Sequence, residues 1–135
     1  MNPAPLTPGM LFHAWPQLLV EDVAATVAHY REALGFGVRF QIGDPPVYAI
    51  VERGDAAIHF MEAPPGSMRP NHLALPQASD VYFSVENAAH LFLELRARGA
   101  KVVEELSDQP YGMREFTIED RNGYRLGFGQ DISQK

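Results

Sequence analysis

The chain has 135 residues, a formal net charge of −6 and no cysteine. At roughly 100–200 residues per domain, this length predicts one domain. The missing cysteines exclude disulfides, thiolate nucleophiles, iron–sulfur clusters and cysteine zinc sites, and they fit a cytoplasmic location. The acidic charge argues against a nucleic-acid partner. A membrane partner is not expected either, because no segment is long and apolar enough to span a bilayer.

The two ends of the chain are expected to lie outside the folded domain. Residues Met1–Pro8 contain three prolines and no basic run, which is typical of neither a signal peptide nor a transit peptide. We therefore expect a disordered or extended lead-in over residues 1–12, one domain over residues 13–130, and a tail over residues 131–135.

The first half of the domain predicts a strand, a helix and three more strands. After the first strand, Asp22 is a natural helix N-cap, and Gly35 is typical of the residue just after a helix end. Between them, apolar residues recur at helical spacing, and the segments that follow alternate as strands do. In chain order the predicted strands are His13–Val20, Gly37–Ile42, Val47–Val51 and Ala56–Glu62.

The same order recurs after a proline-rich segment. Residues 63–78 contain Pro64, Pro65, Gly66, Pro70 and Pro76, which is typical of a linker or a flap. Beyond it, Asn87 takes the N-cap role and Gly99 ends the second helix, while Asn122-Gly123 indicates a hairpin turn. The predicted strands of this half are Asp80–Val85, Lys101–Glu105, Met113–Glu119 and Tyr124–Gly129.

An internal repeat relates the two halves. Val20-Glu21-Asp22 falls on Val85-Glu86-Asn87 at an offset of about 65 residues, and Gly35 falls on Gly99. The fold class that follows is α+β, with two βαβββ modules in tandem, residues 13–62 and 79–130. They would form a curved mixed sheet around a half-open cavity, with the helices on its outer face.

Strand alternation sorts the side chains of each module into two sets. The apolar set should lie under the helices, and the opposite set should face the cavity. The cavity set is rich in aromatic, histidine and charged residues, which is typical of a ligand pocket rather than a packed core. Its members are Trp15, Gln17, His59, Asp80, Tyr82, Glu115, Thr117, Arg125 and Gly127.

The residues described so far resemble a known family. Leu18–Asp22 running into His29–Phe36, and Glu119–Leu126 near the end, are similar to the opening and closing motifs of the vicinal oxygen chelate superfamily. That superfamily includes glyoxalase I, bleomycin-resistance proteins, fosfomycin-resistance enzymes and extradiol dioxygenases. The resemblance covers His13–Gln130 and implies the tandem fold, but the fold hosts many chemistries.

The resemblance also implies where a metal would bind. Its metal enzymes carry one ligand on each of the first, fourth, fifth and eighth strands, positions that match Trp15, His59, Asp80 and Gly127 here. Indole and glycine supply no ligand, and two remaining ligands are too few for a tightly held metal. A displaced site would need His13 and Glu115 beside His59 and Asp80.

We therefore expect no cofactor and a small-molecule-binding protein that resembles the metal-free bleomycin-resistance proteins and sequesters a planar or cationic compound as a homodimer. One alternative is a metal-dependent lyase, isomerase or dioxygenase. Another is a metal-free acid–base enzyme using His59 with Asp80 or Glu115. The expected ligand-binding residues are Trp15, Gln17, Tyr48, His59, Asp80, Tyr82, Glu115 and Arg125.

Overall fold

The computed structural model describes residues 7–133. The first six residues of the expected lead-in and the last two of the expected tail lie outside that range. Module 1 contains β1 (Gln17–Val20), α1 (Val23–Leu34), β2 (Gly37–Gly43), β3 (Pro46–Arg53) and β4 (Ala56–Glu62). Module 2 contains β5 (Val81–Ser84), α2 (Ala88–Ala97), β6 (Lys101–Asp108), β7 (Met113–Glu119) and β8 (Arg125–Asp131).

Both helices begin at the predicted caps. The Asp22 carboxylate accepts a hydrogen bond from the Ala25 N–H at 2.9 Å, and the Asn87 side-chain oxygen accepts one from the His90 N–H at 3.0 Å. Gly35 follows α1 with a φ of 72°, a left-handed conformation that glycine adopts readily. Between residues 7 and 133, neither helix is long and apolar enough to cross a membrane.

The strands form one four-stranded sheet in each module. Their orders are β1-β4-β3-β2 and β5-β8-β7-β6, with the first pair of each sheet parallel and the others antiparallel. The tandem α+β arrangement is thus confirmed, and each module has its own four-stranded mixed sheet.

Each helix covers one face of its own sheet. The apolar stripe of α1 is almost fully buried, with Tyr30 at 0% and Leu34 at 1% exposure. Beneath it lie Ile58 and Phe60 of β4, both at 0%, and Leu126 of β8 is equally buried in module 2. The predicted strand alternation is therefore correct, because apolar burial stabilises only one of the two possible faces.

Polar contacts join the two modules. The Arg53 guanidinium, at the end of β3, donates two hydrogen bonds to the Glu94 carboxylate on α2, at 2.9 and 2.8 Å. The buried Tyr30 hydroxyl donates to Asp120 at 2.7 Å, and the Tyr124 hydroxyl donates to the Leu19 carbonyl at 2.5 Å. These bonds fix the modules side by side.

The proline-rich segment packs against module 2. It contains one turn of 3₁₀ helix, Asn71–Leu73. The Asn71 N–H donates to the Asp80 carboxylate at 2.8 Å, and Arg125 donates to the Pro76 carbonyl at 3.1 Å. These contacts hold residues 76–80 beside β8.

Candidate functional site

In each module, the sheet face opposite the helix is here called the open face. Strand pairing places Gln17 beside His59 on the open face of module 1. The equivalent pair in module 2 is Tyr82 and Gly127. The strands therefore pair in equivalent registers in the two modules, but the side chains on the two open faces differ.

The open face of module 1 carries an aromatic cluster. The Trp15 ring lies 5.5 Å from the His59 ring, and Tyr48 meets His59 edge-on with its hydroxyl bonded to His59 Nδ1. The Arg39 guanidinium lies over the Trp15 ring at 4.9 Å from its centroid. Among the described residues, Trp15 Nε1 and His59 Nε2 are buried without a hydrogen-bond partner. Three of the expected ligand-binding residues thus lie together here.

The open face of module 2 holds a carboxylate between two phenols. Tyr82 donates to one oxygen of Glu115 at 2.5 Å, and Tyr111 donates to the other. Desolvation, followed by the bond to Glu115, raises the pKa of Tyr82 above its ordinary value. The bond to Glu115 is the main cause of the raised pKa of Tyr111. Both phenols therefore remain protonated at neutral pH and act as hydrogen-bond donors.

Two glycines of β8 make room for the Tyr82 ring. A β-carbon at Gly127 would lie 3.1 Å from Tyr82 Cδ2, and one at Gly129 would lie 2.6 Å from Tyr82 Cζ. The two residues are two apart on one strand, so they share a face. Together they form a strip without side chains on which the phenol ring rests.

A cavity of about 330 Å³ opens beside these residues. Its wall contains the carboxylates of Glu104, Glu105 and Glu115 and includes no lysine, arginine or histidine. An irregularity in the pairing of β6 with β7 follows Glu104. We refer to this cavity as the module 2 pocket. It is lined by Gln77, Ser79, Tyr82, Glu104, Glu105, Ser107, Gln109, Tyr111, Glu115, Phe116, Thr117 and Gly127.

A third group of residues meets where the modules adjoin. His13 stacks on Trp15 with ring centroids 5.8 Å apart. Trp15 and Tyr82 both line a cleft of about 290 Å³ at this seam. One expected aromatic residue of each module therefore borders this shared cleft, although the other side-chain contacts of Trp15 and Tyr82 stay within their own modules.

Asp80 and Arg125 hold the chain in place rather than lining the module 2 pocket. The Asp80 carboxylate accepts from the N–H groups of Asn71 and Arg125, both at 2.8 Å. The Arg125 guanidinium lies 3.4 Å from Glu119 and bonds the Pro76 carbonyl. No hydrogen bond joins Asp80 to His59: the Asp80 carboxylate accepts from the two backbone N–H groups, and His59 Nδ1 pairs with the Tyr48 hydroxyl.

The residues present do not fit the metal site of the superfamily's enzymes. At the eighth-strand position, Gly127 has no side chain, and the space above it holds the Tyr82 ring. Among residues 7–133, no three histidine, aspartate or glutamate side chains are grouped to hold a metal ion. His13, His59, Asp80 and Glu115 are thus not brought together as the displaced site requires.

Most of the chain matches the model of one protein family. The model of the glyoxalase/bleomycin resistance protein/dioxygenase superfamily matches residues 13–128. The chain belongs to this superfamily. The match runs from the aromatic cluster of module 1 to the last strand, so both modules of the superfamily fold are present.

Solved structures with a similar fold include two that are described as binding proteins. TioX from Micromonospora sp. ML1 is 22% identical, with a TM-score of 0.71 over 90% of this chain and 99% of its own. TnmS3, an antibiotic-binding protein from Streptomyces sp. CB03234, is 19% identical, with a TM-score of 0.67 over 90% and 97%. A bleomycin-binding protein complexed with bleomycin is 23% identical, with a TM-score of 0.65 over 89% and 98%. No curated protein matches.

Sequence reasoning missed several residues of the module 2 pocket. Tyr111 is recognisable in the sequence as an aromatic that could stack a ligand, but it lies in a loop, where strand alternation assigns no face. Gln77 belongs to the proline-rich segment and Ser79 directly follows it, and the docking of both beside β8 depends on Asp80 and Arg125. Gly127 and Gly129 carried a usable signal, since two glycines at alternate positions of a strand indicate close approach by another group.

Proposed function

We propose that the protein binds and sequesters a planar or cationic small molecule in the module 2 pocket without a metal. The observation that carries this proposal is the charge of the pocket: three carboxylates and two phenols line it, with no basic residue among the lining side chains. Of the three carboxylates, Glu105 has a basic partner outside the lining, Arg96 at 3.7 Å. The antibiotic-binding and bleomycin-binding proteins with similar folds are consistent with this proposal.

Electrostatics favour a cation at this site. Unit charges about 4 Å apart attract by roughly 4 kcal/mol at the effective dielectric of a protein surface. The faces of Tyr82 and Tyr111 add cation–π attraction, about 0.5–2 kcal/mol when a cation lies over the ring. Glu115 has the most defined position of the three carboxylates, because a phenol holds each of its oxygens.

A titration with three simple probes tests the proposal. Proflavine is a planar cation, spermidine is a flexible cation, and 2-naphthoate is a planar anion. We expect at least one cation, and not the anion, to bind by calorimetry in buffer containing EDTA. Glu115→Gln should weaken that binding at least tenfold, because the variant keeps the shape of the side chain and removes its charge.

The matched control is Glu62→Gln, which removes an exposed carboxylate at the end of β4, outside the module 2 pocket. It should bind the cation as the wild type does. Binding that needs added metal, equal binding of anion and cations, or no binding of any organic cation would each contradict the proposal.

We also propose that the protein acts as a homodimer. The support is an apolar surface on the edge strand β2, where Val38, Phe40 and Ile42 are 40%, 49% and 51% exposed. Exposed apolar patches of this kind mark interfaces. Sedimentation should give a dimer mass that Phe40→Glu reduces to a monomer mass. A monomeric wild type would contradict this. The cytoplasmic location stays a prediction.

A further inference from the structure

We infer that the ligand of the module 2 pocket is a polyhydroxylated amine about the size of one sugar ring, rather than an extended planar cation. This inference rests on the proposed function and specifies the chemistry of its ligand. Both a polyhydroxylated amine and an extended planar cation carry the positive charge that the pocket favours. The polar groups of the pocket wall separate the two.

The wall offers hydrogen-bonding groups that the protein leaves without partners. Within residues 7–133, the side chains of Gln77, Ser79 and Thr117 form no hydrogen bond. An amide and two hydroxyls each donate and accept. Ligand hydroxyls do the same, so a hydroxyl-rich ring would satisfy all three groups.

The apolar surface of the wall is small. Phe116 is only 1% exposed, so its ring belongs to the core under α2 and adds little to the pocket. The remaining aromatic surface comes from Tyr82 and Tyr111, whose hydroxyls are bonded to Glu115. An extended planar ligand would cover the free amide and hydroxyl groups without replacing their bonds to water, which costs binding free energy.

The size of the cavity also favours a ligand with a single ring. Its volume of about 330 Å³ lies near the lower end of ligand pockets, roughly 300–1,000 Å³. A single substituted ring therefore fits, with its ammonium group at Glu115 and its hydroxyls toward Thr117 and Ser79. The wall at Ser79 is held in position by the bonds of Asp80 and Arg125.

Three probes that carry an ammonium group, hydroxyls or both make the test. Glucosamine has an ammonium group and hydroxyls, glucose has hydroxyls only, and cyclohexylamine has an ammonium group on a bare ring. Nuclear magnetic resonance titrations of the full chain give a Kd for each. We expect glucosamine to bind at least tenfold more tightly than either glucose or cyclohexylamine, and more tightly than proflavine.

Two substitutions test whether residues of the module 2 pocket cause the preference for glucosamine. Thr117→Val keeps the side-chain shape and removes the hydroxyl, so it should weaken glucosamine binding about three- to tenfold and leave cyclohexylamine unchanged. Glu115→Gln should weaken both amines. Glu62→Gln should change neither, and the amide spectra of all variants report whether the fold is intact.

The possible failures are distinguishable. If cyclohexylamine or proflavine binds as tightly as glucosamine and depends on Glu115, the inference is wrong and the proposed function stands. If Thr117→Val weakens both amines equally, or neither, the inference is also wrong. If no amine binds, both are wrong.

Discussion

The phenol ring of Tyr82 rests on Gly129, where a β-carbon would lie 2.6 Å from the ring carbon Cζ. Gly129→Ala should therefore displace the ring and break its bond to Glu115. We expect a loss of unfolding free energy of about 1–3 kcal/mol, typical of overpacking, measured by urea denaturation. In a Tyr82→Ala background the same change should cost at least about 1 kcal/mol less, because the clashing ring is gone.

Gly37→Ala is the matched control for this substitution. Gly37 is also a strand glycine, and its added β-carbon would come no closer than 4.0 Å to the Glu52 carbonyl. Its stability should change by less than about 0.5 kcal/mol. The Tyr82 ring does not need the glycine strip if Gly129→Ala and Gly37→Ala lose the same unfolding free energy. The same conclusion follows if Gly129→Ala loses as much with the Tyr82 ring as without it.

The bond between Arg53 and Glu94 predicts acid sensitivity. The hydrogen bonds from Arg53, and secondarily from Arg98, lower the pKa of Glu94 to about 2, against an unfolded value of 4.5. The folded-state pKa is lowered, so this stabilisation is complete above pH 4.5 and is lost as the pH falls to about 2. The loss should be about 1–2 kcal/mol after screening by solvent.

Urea denaturation of Glu94→Gln between pH 2 and pH 6 measures this contribution. The variant should be less stable than the wild type at pH 6, with the difference shrinking toward pH 2. Glu105→Gln breaks an exposed pair with Arg96 at 3.7 Å and should show a much smaller effect. A pH-independent difference for Glu94→Gln would rule out the charge as its cause.

Asp120 itself has the opposite pH trend to Glu94, whereas its partner Tyr30 stabilises the charged carboxylate. Burial raises the pKa of Asp120, and the bond from Tyr30 is the largest effect that opposes it. Since the folded-state pKa lies above 3.8, the Asp120 contribution falls as the pH rises through it. Tyr30→Phe removes a donor to the carboxylate, so we expect a loss of about 1–3 kcal/mol at pH 7 and a smaller loss at pH 3.

Tyr124→Phe is the comparison for this test, because the Tyr124 hydroxyl donates to a neutral carbonyl, that of Leu19. Its loss of unfolding free energy should be similar at the two pH values. If Tyr30→Phe also shows no change with pH, Asp120 carries no charge that the phenol stabilises.

The two helix caps predict equal effects in the two modules. Asp22 and Asn87 have nearly the same backbone conformation, with φ of −134° and −139°. Asp22→Ala and Asn87→Ala should each cost about 1 kcal/mol in thermal or urea unfolding. Serine at either position should restore most of that loss. A cap whose alanine variant costs nothing would indicate that its helix is held by packing alone.

Local signals predicted the fold well. Asp22, Asn87 and Gly35 identify helix ends through short-range hydrogen bonding and backbone conformation. The predicted strands Ala56–Glu62 and Met113–Glu119 match β4 and β7, because one face of each strand is buried. Strand β6 was predicted three residues too short, since β6 is mostly exposed and irregularly paired.

The site was harder to predict from sequence. Alternation assigns a face to Glu115 and Tyr82, but it does not give the distance between strands or the path of a loop. Tyr111 reaches Glu115 from a loop, and Asp80 bonds backbone N–H groups rather than His59. The contacts of Asp80 depend on the docking of the proline-rich segment, and that of Tyr111 on the path of its loop, neither of which short-range patterns determine.

Over residues 7–133, strand pairing stays within each module, so no ladder of hydrogen bonds crosses from one sheet to the other. A substitution on one open face therefore does not have to shift the register of the other. The chain has two open faces with equivalent strand pairing whose side chains can diverge separately. For engineering, the face around Tyr82 can be redesigned for a new ligand while the face around His59 serves as an unaltered internal reference.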